Sequence, residues 1–148
     1  MDHKVRAKII GTGSFTPAKI LTNADFEKMV DTSDEWITTR TGMKKRHLAL
    51  GNQSLSKLGA KAASEALDMA GLSPNEVDLI VLATSTPDDL FGSACQIQAL
   101  LGASRAVAFY LTAACSGFVF GLVTIAQFIR MGVYKNALLI GGDVLSRW

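Results

Sequence analysis

The sequence predicts an α/β fold in which a mostly parallel sheet is packed between helices. Three observations lead to this prediction. Apolar runs suited to strands alternate with helical patterns from NQSLSKLGAKAASEALDMAG onwards, the order typical of strand–helix–strand units. The run DLIVLATS is almost continuously apolar, as expected of a parallel strand covered on both faces. The segment from Cys115 to Met131 is apolar on almost every side, which predicts a buried central helix.

The first half of the chain carries a strand pattern and then three helical patterns. KVRAKIIGTG alternates and then turns on glycines, which predicts a first strand. Thr22 or Asn23 can cap a short helix in NADFEKMVD, and Ser33 can cap a second in SDEWITTRTG that stops at Gly42. The clearest amphipathic helix follows and ends at Gly71. Its predicted apolar face consists of Leu55, Leu58, Ala62, Ala66, Leu67 and Ala70.

The second half reads as strands joined by helices. SPNE is a capping box with proline at the first helical position, so a single helical turn is expected. DLIVLATS, AVAFYLT and NALLIGGD are predicted strands, and SACQIQALLG and the segment from Cys115 to Met131 are the helices between them. No repeat or linker interrupts the chain, so we expect a single domain over residues 1–148. GGDVLSRW ends directly after a strand, which favours the front part of a longer polypeptide.

Composition excludes several classes of function. The chain has 148 residues, 49% hydrophobic and 19% charged, and a net charge of +2, too small to favour nucleic acid or an anionic membrane surface. It has no recognisable secretory signal, and its most hydrophobic segment falls short of the roughly 20 apolar residues of a membrane-spanning helix. Two cysteines are too few for a disulfide framework or a metal cluster, so we expect a reducing compartment and no metal site.

Cys115 is the candidate catalytic residue. In LTAACSGFVFGL it stands where a strand is expected to turn into a helix. The free N–H groups and partial positive charge of a helix N-terminus favour a thiolate, whereas burial favours the thiol. A sharp elbow would also present the side chain to a cavity. On these features alone, a nucleophile and a packing cysteine are equally good interpretations. Cys95, in an ordinary small helix, is expected in the core.

Several motifs resemble one family of enzymes. IIGTGSFTP, TNADFEKMVDTSDEWITTRTGMKKRH, ACQIQALLG, TAACSGFVFGL and GGDVLSRW are similar to the amino-terminal part of β-ketoacyl-acyl-carrier-protein synthase III, of the thiolase fold. The resemblance runs from about Lys8 to the last residue. It implies an acyltransferase that starts fatty-acid synthesis through an acyl group on Cys115. The partners implied are acetyl-CoA or another acyl-CoA and malonyl-acyl carrier protein, with no permanently bound cofactor.

The resemblance also implies that the catalytic set is incomplete in this chain. The family's catalytic histidine and asparagine come from its carboxy-terminal half, which has no counterpart among these 148 residues. His3, in the terminal segment, and His47, expected on a surface turn, do not match that histidine. We therefore expect this chain alone to have little or no condensing activity.

The resemblance assigns a nucleotide site to the first helices. Trp36 and Arg40 are four residues apart and share a helix face, an indole suits adenine stacking, and a guanidinium suits phosphate. Thr32, Trp36 and Arg40 match the residues that contact the CoA nucleotide in the family, although a packed indole and a solvated guanidinium are the alternative. Phe91 matches a phenylalanine that crosses the homodimer interface and bounds the partner's acyl pocket; a plain core aromatic is its alternative.

Two further features qualify this interpretation. The basic cluster KKRH can attract CoA phosphates or an acidic carrier protein, although a solvated basic turn is more common. Family members usually have aspartate after the phenylalanine that precedes the nucleophile, and here Tyr110 follows Phe109. Two other functions stay open: a polyketide or hydroxymethylglutaryl-CoA synthase type of condensing enzyme, and a noncatalytic CoA-binding or dimerising fragment. The expected location is the cytoplasm, or the plastid stroma if the source is a photosynthetic eukaryote.

Overall fold

The computed structural model describes residues 6–90 and 92–147, which divide into two compact units. One unit contains the chain up to Phe15 together with Ser54–Leu145, and the other contains Thr16–Gln53 and the residues from Ser146 on. The single domain expected over residues 1–148 stays a prediction. In chain order, the helices and strands are β1 (Lys19–Thr22), α1 (Asn23–Phe26), α2 (Asp34–Thr41), β2 (Lys45–Leu48), α3 (Leu55–Ala70), β3 (Leu79–Ala83), α4 (Ser93–Leu101), β4 (Val107–Leu111), α5 (Gly117–Arg130) and β5 (Ala137–Gly141).

A parallel three-stranded sheet is the centre of the larger unit. The strand order is β4-β3-β5, and Ile80 of β3 stands opposite Ala108 of β4 and Leu138 of β5. All five residues of β3 are buried, which confirms the prediction made from its continuous apolar run. Because neighbouring parallel strands all point the same way, their carboxyl ends, and the residues after them, meet at one edge.

Helix α3 ends at the predicted Gly71, and its start is capped by Ser54. The Ser54 hydroxyl accepts a hydrogen bond from the Lys57 N–H, and Gly71 ends the helix with a φ of 66°. Four of the six residues on its predicted apolar face, Leu58, Ala62, Ala66 and Ala70, are only half-buried. The N-terminal segment lies on this face: a Cβ added to Gly11 or Gly13 would come 2.2 Å from the Ala66 or Ala62 carbonyl oxygen, respectively.

Two predictions about the first half of the chain were wrong. The described part of KVRAKIIGTG is not a strand, because its glycines bring its backbone against α3 instead of pairing it with the sheet. The last three residues of KKRH, a predicted surface turn, lie instead in the strand β2, which pairs antiparallel with β1. His47 lies in this strand, half-buried, with its Nδ1 2.6 Å from the Pro17 carbonyl oxygen. His3 lies outside the described residues.

Helix α5 departs from its prediction in start and in burial. It begins at Gly117, after a separate 3₁₀ turn over Ala114–Ser116, so Cys115 precedes the helix. Only three of its residues are buried, Gly117, Gly121 and Ile125. The expectation of a helix covered on all sides is wrong for this chain, because α5 packs on the sheet through one face, and five of its large apolar side chains outside that face are exposed. These exposed side chains are Phe118, Val119, Phe120, Leu122 and Val123. Within the described residues, no helix has the length and apolar character needed to span a membrane.

Candidate functional site

Cys115 lies on a sharp turn at the carboxyl edge of the sheet. Strand β4 ends at Leu111, and four residues later the chain reaches Cys115 in the 3₁₀ turn. The residue before the cysteine, Ala114, has a φ of 45°, in the left-handed region that a residue with a Cβ rarely adopts. Such strain persists only where the surroundings impose it, and it is found disproportionately at functional sites. The Cys115 side chain is exposed, so the sulfur is accessible from solvent.

Two glycines set the position of the helix that follows the turn. A Cβ on Gly117 would lie 3.5 Å from the Ala83 Cβ, and one on Gly121 would lie 2.6 Å from the Leu139 Cδ1. These residues stand at the first and fifth positions of α5, so one face of the helix lies directly on β3 and β5. These two glycines therefore allow the close packing of the helix on the sheet, and this packing leaves the Cys115 turn at the rim of the sheet.

The backbone N–H of Cys115 is available to a ligand. In the turn, the Ser116 N–H donates to the Ala113 carbonyl at 3.1 Å, and the Gly117 N–H donates to the Ala114 carbonyl. Throughout residues 6–90 and 92–147, no acceptor pairs with the Cys115 N–H. A free N–H on the residue that carries a nucleophilic sulfur is the arrangement that stabilises an oxyanion in acyl transfer. The turn therefore offers a nucleophile and a hydrogen-bond donor on one residue.

A second group at this edge was missed by the sequence analysis. The Asp143 carboxylate, after β5, accepts hydrogen bonds from the three residues after β3. These residues are Thr84, Ser85 and Thr86. The signal that could have found the group is that polar residues directly follow two apolar strands, in LATST and IGGD.

The predicted nucleotide face is formed on α2. Ser33 caps the helix by accepting from the Trp36 N–H at 3.1 Å, and Gly42 ends it with a φ of 71°. The Trp36 side chain is 54% exposed, and the Arg40 Cζ lies 4.8 Å from the centroid of its ring. The structure thus brings Trp36 and Arg40 together on the surface, as their four-residue spacing predicted. Thr32 is half-buried and immediately precedes the capping serine.

A buried asparagine holds α2 in place. Asn23 is 2% exposed, and its Nδ2 donates to the Asp34 Oδ1 at 2.7 Å and to the Met43 carbonyl at 2.9 Å. Arg46 of β2 donates to its Oδ1 and lies over the Phe26 ring at 4.6 Å. Because these bonds join residues at both ends of α2 to α1 and β2, the exposed Trp36 face stands on a rigid support.

The remaining candidates contribute less. Phe91, the predicted acyl-pocket residue, lies outside the described residues. Cys95 is exposed, not in the core, with its Sγ 3.7 Å from the Ala108 carbonyl oxygen. Tyr110 is half-buried opposite Leu82, and nothing in the structure explains its replacement of aspartate. Among the described residues, no group of histidine, cysteine and acidic side chains is suited to bind a metal ion.

A cavity of about 580 Å³ lies apart from the cysteine. It runs beside β5, between the segment Ala7–Gly13 and helices α3 and α5, and its lining is mostly apolar. Cys115 is exposed and is not part of this lining. The expectation that the elbow presents Cys115 to a cavity stays a prediction.

Comparison with known proteins identifies the relatives of this chain. The family model of 3-oxoacyl-[acyl-carrier-protein (ACP)] synthase III matches residues 109–148. β-Ketoacyl-[acyl-carrier-protein] synthase III of Microcystis aeruginosa is 64% identical over 140 residues, which cover 95% of this chain and 42% of that protein. The enzyme of the same name from Synechocystis is 60% identical over 141 residues, which cover 95% and 43%.

Solved structures give the same result. The crystal structure of 3-oxoacyl-[acyl-carrier-protein] synthase III from Aquifex aeolicus matches with a TM-score of 0.91 and 52% identity, over 95% of this chain and 46% of that one. The priming β-ketosynthase of the R1128 polyketide pathway has the same TM-score at 30% identity, over 99% and 45%. The predicted resemblance and the thiolase-like α/β fold are thereby confirmed. The chain spans less than half the length of the curated relatives it matches.

Proposed function

We propose, from the likeness of this chain to the amino-terminal part of β-ketoacyl-acyl-carrier-protein synthase III, that it forms the acyl-accepting part of a priming acyltransferase. The observation that carries the proposal is the Cys115 turn, where an exposed sulfur and an unpaired backbone N–H belong to one residue on a strained backbone. Residues 109–148, which include this turn, are those matched by the family model.

The proposed first step is transfer of an acyl group from CoA. The Cys115 thiolate attacks the thioester carbonyl, so that a new S–C bond forms and negative charge develops on the carbonyl oxygen. The Cys115 N–H donates a hydrogen bond to that oxygen. The bond to the CoA sulfur then breaks and CoA leaves as a thiolate, which takes up a proton from solvent. A thiolate suits this exchange because it is a good nucleophile and a good leaving group.

The CoA nucleotide is assigned to the α2 face. An indole that is 54% exposed offers a flat surface for adenine, and a guanidinium beside it is suited to a phosphate. Trp36 and Arg40 are the proposed contacts, and Thr32 is added from the family resemblance alone. Acetyl-CoA or another acyl-CoA is the proposed substrate, with no permanently bound cofactor.

Condensation with malonyl-acyl carrier protein is proposed for the whole protein. Among the described residues, His47 lies in β2 with its ring beside the Pro17 carbonyl, and it has no proposed part in the chemistry. We therefore expect the 148-residue chain to accept an acyl group and to show little or no condensation. Assembly as a homodimer through the region of Phe91, and a cytoplasmic location, belong to the same proposal.

Two other functions are weighed against this proposal. A polyketide or hydroxymethylglutaryl-CoA synthase type would also be acylated, but the 60–64% identity to synthase III relatives, against 30% to the priming polyketide synthase, favours the fatty-acid type. A noncatalytic fragment would bind CoA and leave Cys115 unmodified. Intact-protein mass spectrometry after incubation with acetyl-CoA separates the acyltransferase from the noncatalytic fragment. We expect one acetyl group on the wild type and on Cys95→Ser, and none on Cys115→Ala. Unmodified wild-type protein that retains CoA binding would replace the proposal with the noncatalytic alternative.

A further inference from the structure

One oxygen of the Asp143 carboxylate collects four hydrogen bonds. Its Oδ1 accepts from the Ser85 N–H at 2.7 Å, the Thr84 hydroxyl at 3.0 Å, and the Thr86 N–H and hydroxyl, both at 3.1 Å. Thr84 and Thr86 are 4% and 6% exposed, although Asp143 itself is exposed. The Thr86 hydroxyl in turn accepts from the Val144 N–H at 2.8 Å. We call Thr84–Thr86 with Asp143 the carboxylate clamp; it ties the carboxyl ends of β3 and β5 together.

The clamp is continuous with the turn that carries Cys115. The Thr84 N–H donates to the Leu111 carbonyl at 3.1 Å, so the clamp also holds the last residue of β4. The Ser85 hydroxyl lies 3.5 Å from the Thr112 hydroxyl, on the first residue after that strand. On the other side of the turn, Gly117 is seated over Ala83 and Leu111, the last residues of β3 and β4. Both ends of the cysteine turn are therefore fixed to strand ends that the clamp holds.

We propose that Asp143 is a positioning residue, which holds the Cys115 turn in its strained conformation and so aims the Cys115 N–H at the developing oxyanion. Ala114 at a φ of 45° has to be imposed by its surroundings, and the clamp is the hydrogen-bonded structure that joins the strand ends on both sides. Small displacements at a reacting centre cost rate, because catalysis depends on the donor being in place before the charge forms. The inference rests on the proposed function in taking Cys115 as the nucleophile.

The test compares two reactions of one sulfur in the full chain, with Cys95→Ser in every variant. With p-nitrophenyl acetate, the Cys115 thiolate attacks the ester carbonyl, an S–C bond forms, and nitrophenolate leaves, so an oxyanion must be stabilised. With iodoacetamide, the thiolate displaces iodide and no oxyanion forms. The variants are Asp143→Ala and the milder Asp143→Asn, which keeps one carbonyl acceptor. The matched control is Asp78→Ala, since Asp78 makes comparable bonds to the Lys135 and Asn136 N–H groups at the opposite edge of the sheet.

We expect Asp143→Ala to lower the acylation rate about tenfold or more, with alkylation changed less than about twofold. The acylation rate of Asp143→Asn should lie between those of Asp143→Ala and the wild type, and Asp78→Ala should change neither the acylation rate nor the alkylation rate. Unchanged acylation in Asp143→Ala, an equal fall in both reactions, or an equal effect of Asp78→Ala would overturn the inference. Acetyl-CoA is run in parallel as a separate probe. If it fails to acetylate the wild type while the aryl-ester pattern holds, the positioning role stands and the proposed function fails.

Discussion

Removal of the Trp36 indole should weaken CoA binding without loosening the fold. The side chain is 54% exposed and the Arg40 guanidinium lies 4.8 Å from its ring, so the ring presents an accessible face and little buried area. Stacking of one base on an aromatic side chain contributes about 1–3 kcal/mol. Because the Trp36 ring is half exposed to water, we expect stacking to contribute about 1–2 kcal/mol of binding free energy. Its loss in Trp36→Ala should raise the Kd for CoA about 5- to 30-fold.

The assay is isothermal titration of CoA into the wild type and the variants, with the unfolding midpoint measured in parallel. Phe15→Ala is the matched control, because Phe15 is also partly exposed and carries a cation, the Lys61 Nζ, 4.4 Å from its ring. We expect Phe15→Ala to leave Kd unchanged and Trp36→Phe to retain part of the affinity. A Kd for Trp36→Ala within twofold of the wild type, or an equal loss in Phe15→Ala, would refute the assignment of the nucleotide to α2.

Three further predictions concern stability. Ile125→Ala should lower the free energy of unfolding by about 2–5 kcal/mol in urea titrations, because Ile125 is only 6% exposed and packs against the sheet. Val119 is 58% exposed, so Val119→Ala should lower it by less than about 1 kcal/mol. Equal losses in the two variants would contradict the one-sided packing of α5. Gly13→Ala should cost about 1–3 kcal/mol in the same assay, since its Cβ would lie 2.2 Å from the Ala62 carbonyl oxygen, and a neutral result would mean that the segment does not lie on α3. The backbone N–H groups of Asn136 and, to a smaller extent, Lys135 lower the pKa of Asp78 below its ordinary value near 3.8. The stability that Asp78 contributes is therefore complete above that value and is lost as the pH falls below it. Asp78→Asn should make the melting temperature less dependent on pH in the acid range, and an unchanged dependence would contradict this role of Asp78.

The parts of the fold that could be predicted are those determined by the pattern of residues within a single element. β3 is indicated by its continuous apolar run and α3 by its amphipathic spacing and terminal glycine, and both were predicted correctly. β1 and β2 were missed because KILT and KRHL are short and mixed in polarity. Their pairing depends on contacts over long sequence separations, such as Arg46 with Asn23. A short strand of this kind carries no readable period.

The candidate site divides in the same way. The pairing of Trp36 with Arg40 follows from helical spacing alone, and the structure confirms that contact. The left-handed Ala114 could not be predicted, since nothing in an alanine marks a positive φ. The role of Asp143 also escaped prediction, because its bonds reach 57–59 residues back along the chain, to Thr84–Thr86. The sequence pattern identified Cys115 as the candidate nucleophile, whereas the groups that hold its turn are brought there by tertiary contacts.

The most direct measurement is the rate of acetyl transfer to Cys115 from acetyl-CoA relative to acetyl-pantetheine, a thioester without the nucleotide. Peptide mapping assigns the acetylated cysteine. At low substrate concentration, acetyl-CoA should react at least about 5- to 30-fold faster, with the label on Cys115. Trp36→Ala should reduce that advantage by the stacking contribution and leave the part contributed by Arg40. Equal rates from the two thioesters in the wild type, or a label on Cys95, would contradict transfer from a recognised CoA thioester to the sulfur of the strained turn.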